Sequence, residues 1–340
     1  MLSVQSRRLR TGKLDPNTLL RYVFTRLGAR DHRVLVGPKI GEDAAVIDLG
    51  SEVLVVHSDP ITAASKLVGW LAIHVPSNDV AVTGARPRWI SATVLLPEDS
   101  TEELLDEITK QMDEAARELG AAIVGGHTEV APELRKPIVC CTVLGTCPKE
   151  RFVPTSGARI GDLVVMTKSA AVEGTAILAT DFENELLRKG VPRDVIERGK
   201  QFIKNVSVVK EALALAEHGL ATSMHDPTEG GILGGLFEIA YASGVRIVVY
   251  RDRVPVAPET KIICEAMGLD PLKLISSGAL LATIPREHVE KALETLRGIG
   301  IDAAVIGEVV EGFGVEVVER DGSRISIEEW IPDEIYRLYE

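Results

Sequence analysis

The chain is poor in thiols and in side-chain amides. Its 340 residues include four cysteines, Cys140, Cys141, Cys147 and Cys264. None forms a C-x-x-C pair and no histidine stands at zinc spacing from them, which excludes a zinc ribbon or finger and a redox dithiol. Cys140 and Cys141 lie in the apolar run 138–144 and read as reduced thiols on opposite faces of a strand, in a cytosolic protein. There are four Asn and three Gln against many Glu, Arg and Val, a bias toward heat-tolerant proteins. The longest uncharged runs, for example 67–78 and 274–285, fall short of the about 18 apolar residues that a spanning helix needs. The first ten residues lack the apolar core of a secretory signal. These absences place the expected location in the cytoplasm, away from membrane.

Positive charge is also scarce. A net charge of −12 argues against a protein whose main work is gripping nucleic acid. A small phosphate still suits an acidic protein when Mg²⁺ bridges it to carboxylates. Two common nucleotide signatures are missing, G-x-x-x-x-G-K-[ST] and G-x-G-x-x-G after a strand. Any use of ATP must therefore rest on another device.

What is present is a length of 340 residues, enough for two domains on the usual size prior, and 45% apolar residues, as a globular chain rather than a disordered one has. Residues 1–12 are polar and basic (Arg7, Arg8, Arg10) and read either as a mobile tail or as an arm over bound phosphates. Asp15-Pro16 opens a helix that Gly28 ends. Strands are expected at about 34–36, 44–48 and 53–57. A helical spacing over 63–85 contains Pro76, which should kink or break it and leave Asn78 and Asp79 just beyond. Strand 89–96, helix 101–119, strand 121–124 and strand 137–146 follow. The turn-rich basic segment 148–161 is the expected domain boundary. Beyond it the pattern alternates: strand 163–167, helices 174–186 and 194–218, strand 221–224, helix 228–243, strand 245–250, helix 258–267, strand 279–284, helix 286–298, and strands 302–309 and 314–318. Mixed αβ layers are the natural packing.

The chemistry concentrates in 41–60, GEDAAVIDLGSEVLVVHSDP, where an apolar strand separates Glu42-Asp43 from Asp59. Burying a carboxylate at such a lip costs several kcal/mol unless a cation meets it. The pattern returns at Asp79, Glu129 and Asp226, which suggests a metal held by oxygen ligands. In Met224–Gly231, MHDPTEGG, Asp226 reads as a helix cap, Pro227 as its first turn and Glu229 as the capping-box partner. Capping leaves Gly230-Gly231 unexplained. Either the pair lets an anion approach the helix start or it is local structure. Gly125-Gly126-His127-Thr128-Glu129 after a strand reads equally as a plain turn.

In order, these segments are GEDAAV (41–46), HSDP (57–60), ND-x-A-x-x-GA-x-P (78–87), GGHTE (125–129), GD-x-V (161–164), MHDPTEGG (224–231) and SSGAL (276–280). Together they resemble the PurM-like family of aminoimidazole-ribonucleotide synthetase-related ATP-binding proteins. That family includes hydrogenase-maturation proteins of the HypE type, selenophosphate synthetase, thiamine-monophosphate kinase and formylglycinamidine synthase. The likeness spans about residues 13–310 and is strongest to the HypE-like branch, including the E-G-T-A-I-L of the 168–178 stretch.

The resemblance implies an α/β fold of two domains: a tail and helix over 1–36, an ATP-binding domain over 37–150 whose strands form a dimeric barrel with a second subunit, and a C-terminal α/β domain over 151–340. It implies ATP between them, with Mg²⁺ on Asp43, Asp59, Asp79 and Asp226, and Asn78, Gly125, Gly126, His127, Thr128, Gly230 and Gly231 around the nucleotide. Relatives often carry a carboxylate where His127 stands; either Glu129 is the substitute metal ligand or that metal contact is lost. Glu173 and His225 are candidates for the acid or base, and Lys168 and Lys204 remain unranked. The implied activity is Mg-ATP-dependent phosphorylation of an amide or carbonyl oxygen, by dehydration or phosphoryl transfer, in hydrogenase or metallocentre maturation. The alternatives are a small-molecule kinase resembling thiamine-monophosphate kinase and a non-catalytic nucleotide-binding scaffold. HypE proper carries its substrate on a C-terminal cysteine, and no cysteine follows Cys264, so that self-modification is not expected. Selenophosphate chemistry is set aside because residues 1–36 hold no cysteine. The implied partners are a second copy and an unidentified acceptor, with no nucleic acid and no membrane.

Overall fold

The computed structural model describes residue 9 and residues 12–338, and the basic residues Arg7, Arg8 and Arg10 lie outside it. The first half runs α1 (Pro16–Tyr22), β1 (Val34–Val36), β2 (Ala45–Asp48), β3 (Glu52–Ile61), α2 (Val68–Val82), β4 (Arg86–Leu96), α3 (Glu102–Leu119), β5 (Ala122–Val130) and β6 (Ile138–Pro148). Asp15 caps α1 and Pro16 takes its first turn, but the helix stops at Tyr22, short of Gly28. The six strands form one sheet in the order β1-β2-β3-β6-β4-β5, antiparallel except between β4 and β5. Along β6, Val139, Cys141 and Val143 are buried while Cys140, Thr142 and Leu144 are half-buried, the period of two that one packed face requires. Leu71 and Ile73 of α2 and Ile108 and Met112 of α3 share a core with that face. All four cysteines are free thiols. Every residue of β5 is exposed.

The expected break at Pro76 does not occur, and Asn78 and Asp79 lie inside α2. Proline removes one helix hydrogen bond, yet every residue of α2 except Trp70 is buried. A helix apolar all round is held by packing on all sides. One side of α2 meets the first sheet, and its C-terminal Ala81 and Val82 pack with Val165, Val208 and Leu213 of the second half.

The second half contains β7 (Leu163–Thr167), α4 (Val172–Asp181), α5 (Glu183–Arg188), α6 (Arg193–Lys200), α7 (Val209–Glu217), β8 (Ser223–His225), α8 (Gly231–Ser243), β9 (Arg246–Tyr250), α9 (Pro258–Met267), β10 (Leu281–Ile284), α10 (Val289–Gly298), β11 (Ala303–Val310), β12 (Gly314–Val318) and β13 (Arg324–Ile327). Its seven strands are ordered β13-β12-β9-β11-β7-β10-β8, and among their pairings only β12 with β9 is parallel. The helix expected over 194–218 is divided between α6 and α7 by a 3-10 turn at Gln201–Asn205. The helix expected from 228 begins at Gly231, because Gly230 turns left-handed (φ 83°) and gives its N–H to Asp333 Oδ2 at 2.7 Å. Strand β13 had no distinct sequence signal. Among the described residues no helix is long and apolar enough to cross a membrane.

Candidate metal and nucleotide site

Three carboxylates from distant parts of the chain meet between the two halves. Asp43 comes from the loop before β2, Asp79 from the last turn of α2 and Asp226 from the end of β8. One oxygen of each lies within 4.8 Å of the others, and all three side chains are buried. Both Asp226 oxygens and Asp79 Oδ2 make no hydrogen bond. Burial, with Asp43 and Asp79 as neighbouring negative charges, pushes the Asp226 carboxyl well above the usual range. Burial and then Asp43 do the same to Asp79. The loop reaches this place because Gly41 is glycine. It adopts φ 86°, and a Cβ there would lie 2.5 Å from the carbonyl oxygen of Glu238 on α8.

Asp43 is aimed by its neighbours. Thr155 Oγ1 donates to Asp43 Oδ2 at 2.9 Å, and His225 Nδ1 lies 2.5 Å from Asp43 Oδ1. The other ring nitrogen of His225 meets Glu238 Oε2 at 2.9 Å, and Lys13 Nζ donates to Glu238 Oε1 at 2.7 Å. Burial alone would lower the His225 pKa, but the flanking Asp43 and Glu238 hold it well above its ordinary value. Burial likewise opposes ionisation of Glu238, yet Lys13 and His225 hold its pKa down at about 2. The result is an alternating chain of charges, Lys13–Glu238–His225–Asp43, that ends on the carboxylate cluster. His57 adds a ring nitrogen 3.6 Å from Asp79 Oδ2, and its other nitrogen contacts the backbone oxygen of Asp43.

A hard divalent cation fits this set. Mg²⁺ takes oxygen ligands at about 2.0–2.1 Å in an octahedron, so its ligands stand about 3 Å (adjacent) to about 4 Å (opposite) apart, within the 4.8 Å that bounds the spacing here. Its charge would meet the oxygens that lack protein partners. The cluster opens into a cavity of about 200 Å³ with a polar wall (Asp43, His57, Asp79, Asp226) and an apolar one (Leu14, Phe24, Trp330).

The other expected site residues distribute unevenly. Asp59 lies outside the three-carboxylate group and lines a second, smaller cavity with Glu173. Burial and the nearby Asp79 push Asp59 up to about 7. The Asn78 amide bonds backbone: Nδ2 donates to Val206 O at 2.8 Å, and Oδ1 accepts from Val208 N at 2.9 Å. Gly125, Gly126, His127, Thr128 and Glu129 form no turn. They continue β5 at the sheet edge opposite the one nearest Asp43. Gly126 is glycine because a Cβ would lie 1.7 Å from Ala92 O on β4, and His127 Nε2 pairs with Glu129 Oε2 at 3.1 Å. Gly231 turns left-handed (φ 62°), and a Cβ on it would press on Leu272 O and Leu274 O at 2.7 Å, so its freedom serves the chain's own packing. Lys168 is spent on Glu211 at 2.7 Å and on the carbonyls of Asn205 and Ser207. Lys13, His57, Thr155 and Glu238 were not anticipated. Glu238 did carry a signal: it is the lone charge within α8, an otherwise apolar helix.

Two family models match the chain: the AIR synthase related protein N-terminal domain over residues 41–147 and the C-terminal domain over 159–320. The carbamoyl dehydratase HypE of Azotobacter vinelandii is 33% identical over 257 residues, 72% of this chain and 70% of that protein. A solved HypE–HypF complex superposes with a TM-score of 0.75 at 27% identity, covering 92% of this chain and 99% of the other. A solved HypE in complex with ATP gives a TM-score of 0.71 at 25% identity, covering 96% and 97%. A ThiL structure with AMPPCP and TMP shares the fold, with a TM-score of 0.73 at 24% identity and coverage of 96% and 99%.

Proposed function

Since this chain belongs to the AIR synthase related protein family, in its HypE-like branch, we propose that it is an enzyme that uses Mg-ATP to phosphorylate an amide or carbonyl oxygen of an acceptor, in the maturation of a hydrogenase or related metallocentre. The observation that carries the reading is the convergence of Asp43, Asp79 and Asp226, with Asp79 Oδ2 and both Asp226 oxygens buried and without a hydrogen-bond partner. Phosphoryl transfer asks for charge neutralisation and alignment more than for a nucleophilic side chain. Mg²⁺ held there would neutralise phosphate charge and hold the phosphates in line. Asp43, Asp79 and Asp226 would be its ligands. Thr155 and His225 fix the Asp43 carboxylate, which lessens the reorganisation needed on binding. The cavity's apolar wall of Leu14, Phe24 and Trp330 offers a surface for a flat base.

HypE relatives support dehydration of a carbamoyl group, and the HypE–HypF complex supports a protein partner of the HypF kind. A second copy of the chain is the other expected partner. β5 presents a fully exposed edge. Gly125–Glu129 lie on that edge strand, where a second copy would meet them.

The test is ATP turnover with labelled γ-phosphate across a panel of carbamoyl and amide acceptors. The reading expects acceptor-dependent release of free phosphate and loss of water from the acceptor. A stable phosphorylated product would instead favour a small-molecule kinase. Tight nucleotide binding with no turnover on any acceptor would favour a scaffold.

A further inference from the structure

Helix α8 gives two of its positions to the support of Asp43. Gly235 is the first. A Cβ there would lie 3.0 Å from His225 Cδ2 and 2.7 Å from Pro227 Cβ, so a bare backbone lets the imidazole lie this close to the helix. Glycine inside a helix costs roughly 1 kcal/mol relative to alanine. Glu238 is the second, three residues on, a spacing that puts it on the same face. Its Oε2 meets His225 Nε2 at 2.9 Å, while the other ring nitrogen meets Asp43 Oδ1 at 2.5 Å. The backbone oxygen of Glu238 lies 2.5 Å from where a Cβ on Gly41 would stand, at the start of the loop that carries Asp43. One helical residue thus supports that loop with its backbone and, through His225, the Asp43 carboxylate with its side chain.

A buried carboxylate costs several kcal/mol unless it is paired. Lys13, from the segment before α1, supplies the pairing: its Nζ donates to Glu238 Oε1 at 2.7 Å and stands 5.1 Å from the centre of the Trp330 ring. The dependence runs one way. The Lys13 side chain is 37% exposed and would be solvated without Glu238, whereas the Glu238 side chain is 4% exposed. Among the described residues, the only ion pairs of Glu238 are with Lys13 and His225. A carboxylate kept in an apolar helix at this place therefore serves His225, and Lys13 serves the carboxylate.

We propose that Glu238, with Lys13 as its counter-charge, is a positioning residue for the metal: it holds the His225 ring so that the Asp43 carboxylate stays within reach of Asp79 and Asp226 before any cation arrives. A ligand fixed in advance need not be ordered on binding, and outer groups of this kind are worth about 10- to 100-fold in metal affinity. The N-terminal segment thereby acts on the metal site through Lys13, which cannot itself be a ligand while it is an ammonium. The proposal rests on the functional reading above, because it needs Asp43 to hold Mg²⁺.

The experiment is calorimetric titration of ATP into the full chain at a series of Mg²⁺ concentrations and constant ionic strength, for wild type, Glu238→Leu and Lys13→Met. Leucine suits an apolar helix and leaves Lys13 to water. The Mg²⁺ concentration that half-restores ATP binding should rise about 10- to 100-fold in Glu238→Leu, and by a smaller factor in Lys13→Met. Excess Mg²⁺ should return the ATP dissociation constant of both variants to the wild-type value, because the metal ligands themselves are intact. A loss of ATP affinity that excess Mg²⁺ does not restore marks damage to the fold and overturns the proposal. An unchanged Mg²⁺ requirement in both variants overturns it too. If Glu238→Leu does not fold, Lys13→Met alone decides, since its half-exposed side chain can be replaced without burying a new group. Unaltered variants beside a Mg²⁺-dependent wild type defeat this proposal alone, whereas a wild type that binds no Mg-ATP defeats the functional reading with it.

Discussion

Glu173 and Asp226 show how burial sets the behaviour of single acidic groups in this chain. Burial first, and then Glu229, Asp333 and Asp59 as neighbouring charges, push Glu173 up from its ordinary 4.5 to about 8. Between those pH values the unfolded chain has released a proton that the folded chain keeps, so stability falls as pH rises through the window. Glu173→Gln removes this term. The variant and the wild type should have similar unfolding free energies at pH 5. At pH 8.5 the variant should be more stable by several kcal/mol, at about 1.4 kcal/mol per pH unit, as urea unfolding at both pH values would show. The acidic positions themselves were readable in the sequence, because carboxylates beside apolar strands stand out. Their grouping was only partly readable. Asp43, Asp79 and Asp226 meet, Asp59 stands near Asp79 in the adjoining cavity, and Glu129 lies on the edge strand β5, since side-chain direction and sheet order are not written in spacing.

At the scale of elements, α2 joins the two halves. Asn78 bonds Val206 and Val208 across them, in the stretch that parts the 3-10 turn from α7. Asn78→Ala leaves a buried carbonyl and a buried N–H without partners, at about 1–3 kcal/mol each. Chemical unfolding should show a loss of roughly 2–5 kcal/mol, with Mg-nucleotide affinity falling too because Asp79 is the next residue. Most strands and helices were legible from periodicity, including β7, β9, β12 and α9. The misreadings share a cause. Pro76, the Gln201–Asn205 turn and Gly230-Gly231 are decided by packing and by distant partners such as Asp333, which local propensity does not see. The Gly125-Gly126 pair reads in sequence as either a turn or a site element, yet the second glycine is there because the β4 backbone lies against it.

Among the described residues two of the three buried cores cross the middle of the molecule: the larger draws on α2 and α3 from the first half and α4, α6 and α9 from the second, and another joins the end of α2 to α7. The two halves should therefore unfold together. The exposed β5 edge, with Ile123, Val124 and Val130 each more than two-fifths exposed, is where a second copy is expected. Val124→Lys should move the chain from dimer to monomer in sedimentation velocity without lowering its unfolding midpoint by more than a few degrees. The order of the seven motifs made this architecture legible before any coordinates. The exposure of the whole of β5 was not, because nothing in one chain's pattern says which strand stands at a sheet edge. The central claim is that Asp43, Asp79 and Asp226 clasp magnesium against ATP. It is tested most directly by calorimetric titration of ATP into wild type and Asp226→Asn, each with Mg²⁺ and with EDTA. The account predicts Mg²⁺-dependent binding to the wild type, weakened about a hundredfold or lost in the variant. Equal affinity in all four titrations would contradict it.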